Sequence, residues 1–296
     1  MARIDEFMKN AIDRRESYKQ DEVEAYIEQV YDVFPTLRDI DERLLECRKN
    51  QLLEGMAGDD NRASEYEARI KQLEARRAEY MDLNGIPEDF DKTRAICKAC
   101  GDTGYRKTGP NHTLKVVCNC MKGALDECYK ASGMGLYEDI KLDLFDSAYC
   151  GSEYKARRDE VKKKFLTITQ NLILDKDEDT YIYTDREQRG KTFLAISYAK
   201  VAIGMGVDVQ YVKLADLYNA SAELLDRIKA CDMLIVDDFI GRDTGDRNVA
   251  LNLANALEYR LTKKKATILI SMFDLQDIVN TSDARVAGKI SKAKRI

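Results

Sequence analysis

The first ninety residues place apolar side chains at helical spacing. Intervals of three and four residues build the apolar stripe of one helix, formed by Val23, Tyr26, Ile27, Val30, Tyr31 and Phe34. Pro35 is expected to end that helix, Thr36 to cap a second, and the spacing of Ser64 and Glu67 to begin a third. Three short amphipathic helices with almost no catalytic residue types are typical of a docking module, or of a spacer that only packs against the rest of the chain.

Beyond about residue 150, short apolar runs alternate with helical stretches. The predicted strands are 181–183, 208–212, 233–236 and 266–271, and the predicted helices are 193–202 and 249–261. Strands that alternate with helices predict a parallel sheet with helices on both faces. The predicted fold class is therefore α/β, with a small all-helical region in front of it.

A phosphate-binding loop is indicated where the first of these strands leads into a helix. Gly190, Lys191 and Thr192 stand at the start of the helix, where backbone amides cradle phosphates, lysine neutralises them and threonine holds magnesium. The first half of the loop departs from the pattern. Asp185 occupies the position of an expected glycine, and Glu187 adds a second negative charge where phosphates would lie.

A second motif follows at a suitable distance. The buried-strand run 233–236 ends in Asp237 and Asp238, which places two carboxylates at the carboxyl edge of a parallel sheet. This is the Walker B arrangement, in which one carboxylate positions magnesium and the next polarises an attacking water. Either motif alone occurs by chance, but their order and spacing together favour a nucleotide site.

Four cysteines upstream of this region have metal-ligand spacing. Cys97 and Cys100 form a CxxC pair, and Cys118 and Cys120 follow after a loop. Four soft thiolates favour structural Zn²⁺ in a closed shell, and free thiols or a redox pair are the alternative. His112, the one histidine of the chain, is either an exposed loop residue or a substitute for one cysteine ligand.

Charge and hydropathy limit the choice of partners and compartment. With 53 acidic and 48 basic residues the net charge is −5, which argues against a protein that coats duplex DNA by bulk charge. Lys162–Lys164 and Lys263–Lys265 are local basic runs that contact nucleic acid or are simply solvated. The sequence has neither a signal-peptide-like start nor an apolar run of roughly 20 residues, which predicts a cytoplasmic protein without a membrane partner.

Several of these segments resemble one protein family. Residues 97–105 with 118–120 resemble the zinc element of DnaI-type loaders, and 131–134 resemble the segment that enters their ATPase domain. Residues 234–241 resemble the family's Walker B line, and Arg260 resembles an arginine common there. From the cysteine segment almost to its end, the chain is similar to the bacterial replicative helicase loaders of the DnaC and DnaI type, which are AAA+ ATPases.

The resemblance implies a domain organisation and partners. It implies a helical partner-docking region over 1–90, a four-cysteine zinc element and linker over 91–130, and an AAA+ P-loop domain over 131–296. Loaders of this type bind a hexameric DnaB-type helicase through the helical and zinc regions. Their ATPase domain regulates ring opening and placement on single-stranded DNA at an origin or restart fork, as a homo-oligomer or as an assembly on the ring.

The resemblance also implies cofactors and residue roles. ATP, Mg²⁺ and Zn²⁺ are the expected cofactors. Gly190 and Lys191 are expected at the phosphates, Thr192 and Asp237 at magnesium, and Asp238 at the attacking water, so that Lys191 and Asp238 carry the catalysis.

Three further departures concern ATP turnover. Met272 stands where the family usually has a sensor asparagine, and Lys289 stands where it has an arginine finger, for which Arg285 is the alternative. The chain is also expected to stop short of the final strand. These features predict weak ATP binding with slow or absent hydrolysis, so the residues do not decide whether the protein is an enzyme.

Two other functions are consistent with the same residues. A non-enzymatic adaptor of a phage or mobile element would bind a helicase through the zinc module and keep the ATPase fold only as a scaffold. A transposition helper ATPase of the IstB type shares the ATPase core, but such helpers generally lack the cysteine element. The first differs from a loader by the absence of Lys191-dependent hydrolysis.

Overall fold

The computed structural model describes residues 3–108, 114–140, 152–185 and 189–296, apart from the side chains of residues 114 and 152–155. His112 and Glu187 lie outside the described residues. The chain forms two compact units. One consists of Met1–Ala11 with Cys97–Ile296, here called the sheet unit, and the other of Ile12–Ile96, here called the helical unit.

Ten helices and seven strands are found in the described part of the chain. The helices are α1 (Arg3–Val33), α2 (Pro35–Ala57), α3 (Asp60–Asn84), α4 (Lys122–Tyr129), α5 (Ser152–Ile173), α6 (Lys191–Gly204), α7 (Ala222–Ala230), α8 (Arg247–Thr262), α9 (Leu275–Thr281) and α10 (Ala284–Ile290). The strands are β1 (Tyr105–Thr108), β2 (Leu114–Val117), β3 (Thr180–Thr184), β4 (Val209–Lys213), β5 (Met233–Asp237), β6 (Ala266–Ser271) and β7 (Lys294–Arg295). None of these helices is long and apolar enough to cross a membrane.

The helical unit has its core between α1, α2 and α3. Its buried residues form two neighbouring clusters, Val30, Leu37, Met81, Ile86 and Phe90 in one and Ile40, Leu44 and Ile70 in the other. The helices contain 31, 23 and 25 residues, so the prediction of short helices was wrong. Of the apolar stripe recognised in the sequence, Ile27, Val30, Tyr31 and Phe34 pack in this core, whereas Tyr26 is 46% exposed.

The first helix ends just before Pro35 as predicted, but both predicted N-terminal caps, Thr36 and Ser64, were wrong. Pro35 is the first residue of α2 and Thr36 lies within the helix, because proline has a suitable φ and needs no hydrogen-bond acceptor at that position. In α3 the Asp59 carboxylate accepts a hydrogen bond from the Arg62 amide at 3.1 Å, so the helix begins before Ser64.

The sheet unit is built on a five-stranded parallel sheet with the strand order β4-β5-β6-β3-β7. The strands predicted from apolar runs lie at their expected places, and the predicted parallel α/β class is confirmed. The short strand β7 pairs with β3, so the expectation that the chain lacks a final strand was wrong. Its two residues are positively charged and exposed, so they gave no strand signal in the sequence.

Helices cover both faces of this sheet. On one face Ile182 of β3 and Val236 of β5 pack in a cluster with Leu253 and Leu257 of α8. On the other face the Phe165 ring of α5 contacts the ring of Tyr183 edge-on, with centroids 6.4 Å apart. The architecture is a parallel α/β sheet covered by helices on both faces, and open sheets of this kind bind ligands at the carboxyl ends of their strands.

Candidate functional site

The loop between β3 and α6 contains the predicted phosphate-binding residues. Gly190 adopts a left-handed conformation with a φ of 73° and directly precedes the first residue of α6, Lys191. A residue with a side chain would be strained there, which explains the glycine. The Lys191 ammonium donates a hydrogen bond of 2.8 Å to the carbonyl oxygen of Asp185. The lysine therefore lies across the start of the loop.

Asp237 ends β5 and is the buried acidic group of the site, with 1% of its surface exposed. Its Oδ2 accepts hydrogen bonds from the Thr192 hydroxyl at 2.6 Å and from the Tyr211 hydroxyl at 2.9 Å. Its Oδ1 accepts one from the Asp238 amide at 2.8 Å. The structure thus brings together Thr192 and Asp237, the two residues predicted to hold magnesium.

The second carboxylate of the motif is oriented differently. Asp238 follows the strand with a φ of 51°, in the left-handed region, and its side chain is 64% exposed. Its Oδ2 lies 3.3 Å from the ammonium nitrogen of Lys213, which ends β4. An exposed pair of this kind contributes at most about 1 kcal/mol. It still places a cation beside the group predicted to polarise water.

A cavity of about 430 Å³ lies between the loop and the ends of the strands. It is lined by Arg189, Gly190, Lys191, Thr192, Asp237, Asp238, Phe239, Ile240, Ile270, Ser271 and Met272. Met272 lines the cavity at the position where the loader family usually has a sensor asparagine, and it is 41% exposed. Its side chain has no amide group to offer there. Ser271 is occupied internally, because its hydroxyl donates to the Phe239 carbonyl oxygen at 2.6 Å.

The two arginine-finger candidates lie in ion pairs within this chain. Arg285 Nε lies 2.9 Å from Asp283 Oδ1, and Lys289 Nζ lies 2.8 Å from Glu258 Oε2. Neither side chain is among the described residues that line the cavity. A finger acts on a neighbouring subunit, so this placement leaves the role of both residues a prediction.

Arg260, which resembles a family arginine, is buried in the sheet unit and does not line the cavity. It is fully buried, and burial lowers the pKa of its guanidinium. Nη1 donates to the carbonyl oxygens of Cys231 at 2.7 Å and Ile228 at 3.0 Å, and Nε donates to the Thr267 hydroxyl at 2.9 Å. The arginine therefore ties the end of α8 to the starts of β5 and β6, away from the cavity.

Sequence reasoning missed Tyr211 and Lys213. Both lie on β4, and the register pairs Lys213 with Asp237. Tyr211 donates to Asp237, and Lys213 pairs with Asp238, so each of the two carboxylates has a partner on this strand. Burial raises the pKa of Tyr211 well above its ordinary value, and hydrogen bonds to Tyr137 and Asp237 raise it further. The phenol consequently keeps the proton that it donates.

The four predicted metal ligands come together in the sheet unit. Their sulfur atoms all lie within 4.8 Å of one another, with 3.8 Å between Cys97 and Cys118 and 3.6 Å between Cys100 and Cys120. All four are free thiols. A tetrahedral zinc ion with bonds of about 2.3 Å requires sulfur separations of roughly 3.8 Å, so the donor set fits Zn²⁺.

Short loops hold the cysteines in place. The Cys97 amide donates to the Asp102 carboxylate at 2.8 Å, and the Cys118 amide donates to the Gly104 carbonyl oxygen at 2.8 Å. Hydrogen bonds from the backbone amides of Cys100 and Ala99 lower the pKa of Cys97 to about 7. The antiparallel pair β1 and β2 joins the two halves of the cluster.

Comparisons with known proteins yield only partial structural likenesses. No protein-family model matches the chain, and no curated protein matches it either. A crystal structure of DnaI is similar over 45% of this chain and 82% of its own, with 21% identity and a TM-score of 0.39. A primosome component from Streptococcus pyogenes is similar over 54% of this chain and 86% of its own, with 20% identity and a TM-score of 0.39.

An AMPPCP-bound structure of DnaA from Aquifex aeolicus is also similar in part. The match covers 54% of this chain at 17% identity, with a TM-score of 0.43. It covers 50% of the DnaA chain, so this protein spans about half the length of that structure.

Proposed function

We propose that the protein is an AAA+ helicase loader that acts in the cytoplasm in DNA replication initiation or restart. It binds a hexameric DnaB-type helicase and regulates its placement on single-stranded DNA through ATP binding, with slow hydrolysis. One observation carries the proposal. A single compact unit combines a four-thiol cluster of zinc geometry with a phosphate loop whose Thr192 lies 2.6 Å from Asp237. That combination is the one on which the resemblance to the loaders rests.

In this proposal each predicted site residue has a separate role. The amides at the start of α6, including that of Lys191, and the Lys191 ammonium would hold the ATP phosphates. Thr192 and Asp237 would hold Mg²⁺, which neutralises phosphate charge when bound. Asp238 would orient the attacking water once its carboxylate is released from Lys213. The four cysteines would hold Zn²⁺ and thereby fold the loops that carry them.

The helical unit would supply the docking surface. On α2, Leu45, Leu52 and Met56 are 71%, 66% and 80% exposed. These residues lie seven and four positions apart, so they share one face of the helix. Exposed apolar residues grouped in this way are typical of protein interaction sites, and the resemblance assigns the partner to a replicative helicase.

Native mass spectrometry of the full chain with the replicative helicase of the same organism tests the proposal. We expect one zinc ion per protein chain and a complex with the helicase hexamer whose stoichiometry or stability changes when ATP is added. The Lys191→Ala variant should keep the zinc and the complex but lose the response to ATP. Failure of the unsubstituted protein to associate with the helicase in any nucleotide state would exclude a loader.

A non-enzymatic adaptor is the second candidate, favoured by the Lys213 ion pair on Asp238 and by Met272 in the cavity. An adaptor would still bind the helicase and zinc. It would show no ATP hydrolysis above that of the Lys191→Ala variant. Lys191-dependent turnover would therefore decide in favour of the loader.

A further inference from the structure

Two tyrosines join the buried carboxylate of the nucleotide site to a neighbouring segment. Tyr211 is 3% exposed, and its hydroxyl lies 2.9 Å from Asp237 Oδ2 and 3.2 Å from the Tyr137 hydroxyl. A carboxylate only accepts hydrogen bonds, so the single proton of Tyr211 goes to Asp237. Tyr137 is therefore the donor to Tyr211. A directed chain of hydrogen bonds leads from Tyr137 through Tyr211 to Asp237.

The segment that carries Tyr137 begins at the cysteine cluster. Residues 119–137, here called the connector, run from a 3-10 turn that contains Cys120, through α4 and a π-helical turn, to a 3-10 turn that ends at Tyr137. Met121 and Met134, which lie near the two ends of the connector, are buried, with 2% and 0% of their surfaces exposed. The connector thus leads from a predicted zinc ligand to the first tyrosine through short helical turns, with a kink at Gly133.

The connector contacts two elements of the proposed nucleotide site, α6 and β4. The Lys200 ammonium of α6 donates to the carbonyl oxygen of Tyr137, the last residue of the connector, at 2.6 Å. Gly133, with a φ of 84°, packs so closely on β4 that an added methyl group would collide with the carbonyl oxygen of Tyr211. A displacement of the connector relative to β4 would therefore move Tyr137 relative to Tyr211.

We propose that Tyr211 is a positioning residue for the magnesium ligand Asp237, and that Tyr137 makes this position depend on the connector. The inference rests on the proposed function, because it concerns the nucleotide site of that function. Asp237 Oδ2 accepts hydrogen bonds from both Thr192 and Tyr211, so the tyrosine helps to fix the orientation of this carboxylate. A magnesium ion would bind the carboxylate more weakly if that orientation were lost. Coupling of this kind is reciprocal, so a bound metal would in turn stabilise the connector.

Tyrosine-to-phenylalanine variants of the full chain test the inference. The measurement is the dissociation constant of ATP by calorimetry, over a series of MgCl₂ concentrations and in EDTA. For Tyr211→Phe the Mg²⁺ concentration at half-maximal effect should rise about tenfold, because a hydrogen bond to a charged group is lost. For Tyr137→Phe it should rise about threefold, since that residue acts through Tyr211. ATP affinity in EDTA should remain unchanged in both.

Tyr181→Phe is the matched control. Tyr181 is also buried, at 5% exposed, and also donates to a carboxylate, Glu178 Oε2 at 2.5 Å, outside the cavity. This variant should leave the Mg²⁺ dependence unchanged, so an equal shift in it would overturn the inference. Circular dichroism verifies folding, and if Tyr211→Phe fails to fold, Tyr137→Phe carries the test.

The outcomes separate the inference from the proposed function. If the unsubstituted protein binds ATP with a Mg²⁺ dependence that neither Tyr211→Phe nor Tyr137→Phe changes, the inference is overturned and the nucleotide site stands. Equal weakening of binding in EDTA and in Mg²⁺ also overturns it, because a positioning role acts only on the metal-bound form. Absence of ATP binding by the unsubstituted protein rejects both.

Discussion

The cysteine cluster and the proposed nucleotide site lie in the same unit but are built in opposite ways. The cluster takes its ligands from two short segments, and local amides such as those of Cys97 and Cys118 fix each segment. The proposed nucleotide site takes its groups from β4, β5, β6, α6 and the loop before α6. The first is therefore determined by neighbours in the sequence, and the second by how strands align.

The two sites also differ in what their polar groups do in the structure. The four sulfur atoms lie within 4.8 Å of one another, an arrangement that a zinc ion would stabilise. In the nucleotide site, Lys191 donates to the Asp185 carbonyl oxygen and Asp238 pairs with Lys213. Phosphates would have to replace these contacts. The comparison predicts tight zinc binding and weak, slow use of ATP.

Removal of one thiolate should have the largest effect. For Cys100→Ser we expect the zinc content to fall from about one ion per chain to nearly none, because three thiolates leave the shell open. Metal binding to such sites contributes on the order of 10 kcal/mol to folding, so residues 97–108 and 114–121 should also lose protection from amide hydrogen exchange. Metal analysis and exchange mass spectrometry measure the two effects.

Cys47→Ser in α2 is the matched control, since Cys47 is a partly buried free thiol outside the cluster. It should keep the zinc and the exchange pattern. If the unsubstituted protein contains no zinc after purification and zinc addition, the cluster is a set of free or redox-active thiols, and the contrast between the two sites disappears.

Much of the sheet unit could be predicted because its strands are continuous apolar runs. Buried parallel strands leave this signal whatever lies beside them, and β6 was placed residue for residue. The starts of α2 and α3 could not be predicted, because the sequence offers two possible first residues or caps for each helix. These are Pro35 or Thr36 for α2 and Asp59 or Ser64 for α3, and only the folded backbone distinguishes them. The two-residue strand β7 carries no pattern at all.

The candidate site divides in the same way. Residues that belong to local motifs, such as Thr192 and Asp237, were named from the sequence and lie together. Tyr211 and Lys213 were missed because their contacts depend on the register of β4 against β5, which single-strand patterns do not specify. The roles assigned to these residues remain predictions until binding is measured.

Lys213→Met should have a moderate effect, on the rate of ATP hydrolysis at the proposed nucleotide site. It removes the cation beside Asp238 while keeping the aliphatic stem. Because the exposed pair contributes about 1 kcal/mol at most, we expect the rate of ATP hydrolysis to rise by up to about fivefold with unchanged ATP affinity. Steady-state turnover and calorimetry with Mg²⁺ measure both quantities.

Lys265→Met is the matched control, because Lys265 also pairs with an aspartate, Asp232 at 3.1 Å, outside the cavity. It should leave turnover unchanged. A loss of ATP affinity in Lys213→Met would contradict the expectation and would instead make this lysine a phosphate ligand.

Met272→Asn should have the smallest effect. It restores an amide side chain at the cavity position where the loader family usually has asparagine. Met272 is 41% exposed and follows β6 directly, so an amide fits there without burial of an unpaired polar group. We expect ATP hydrolysis to rise about twofold to threefold, the worth of one modest hydrogen bond formed only during turnover. Met56→Asn on α2, 80% exposed, is the control for loss of a surface methionine. If Met272→Asn lowers turnover, the apolar side chain itself contacts the nucleotide, and the site is adapted to ATP rather than degraded.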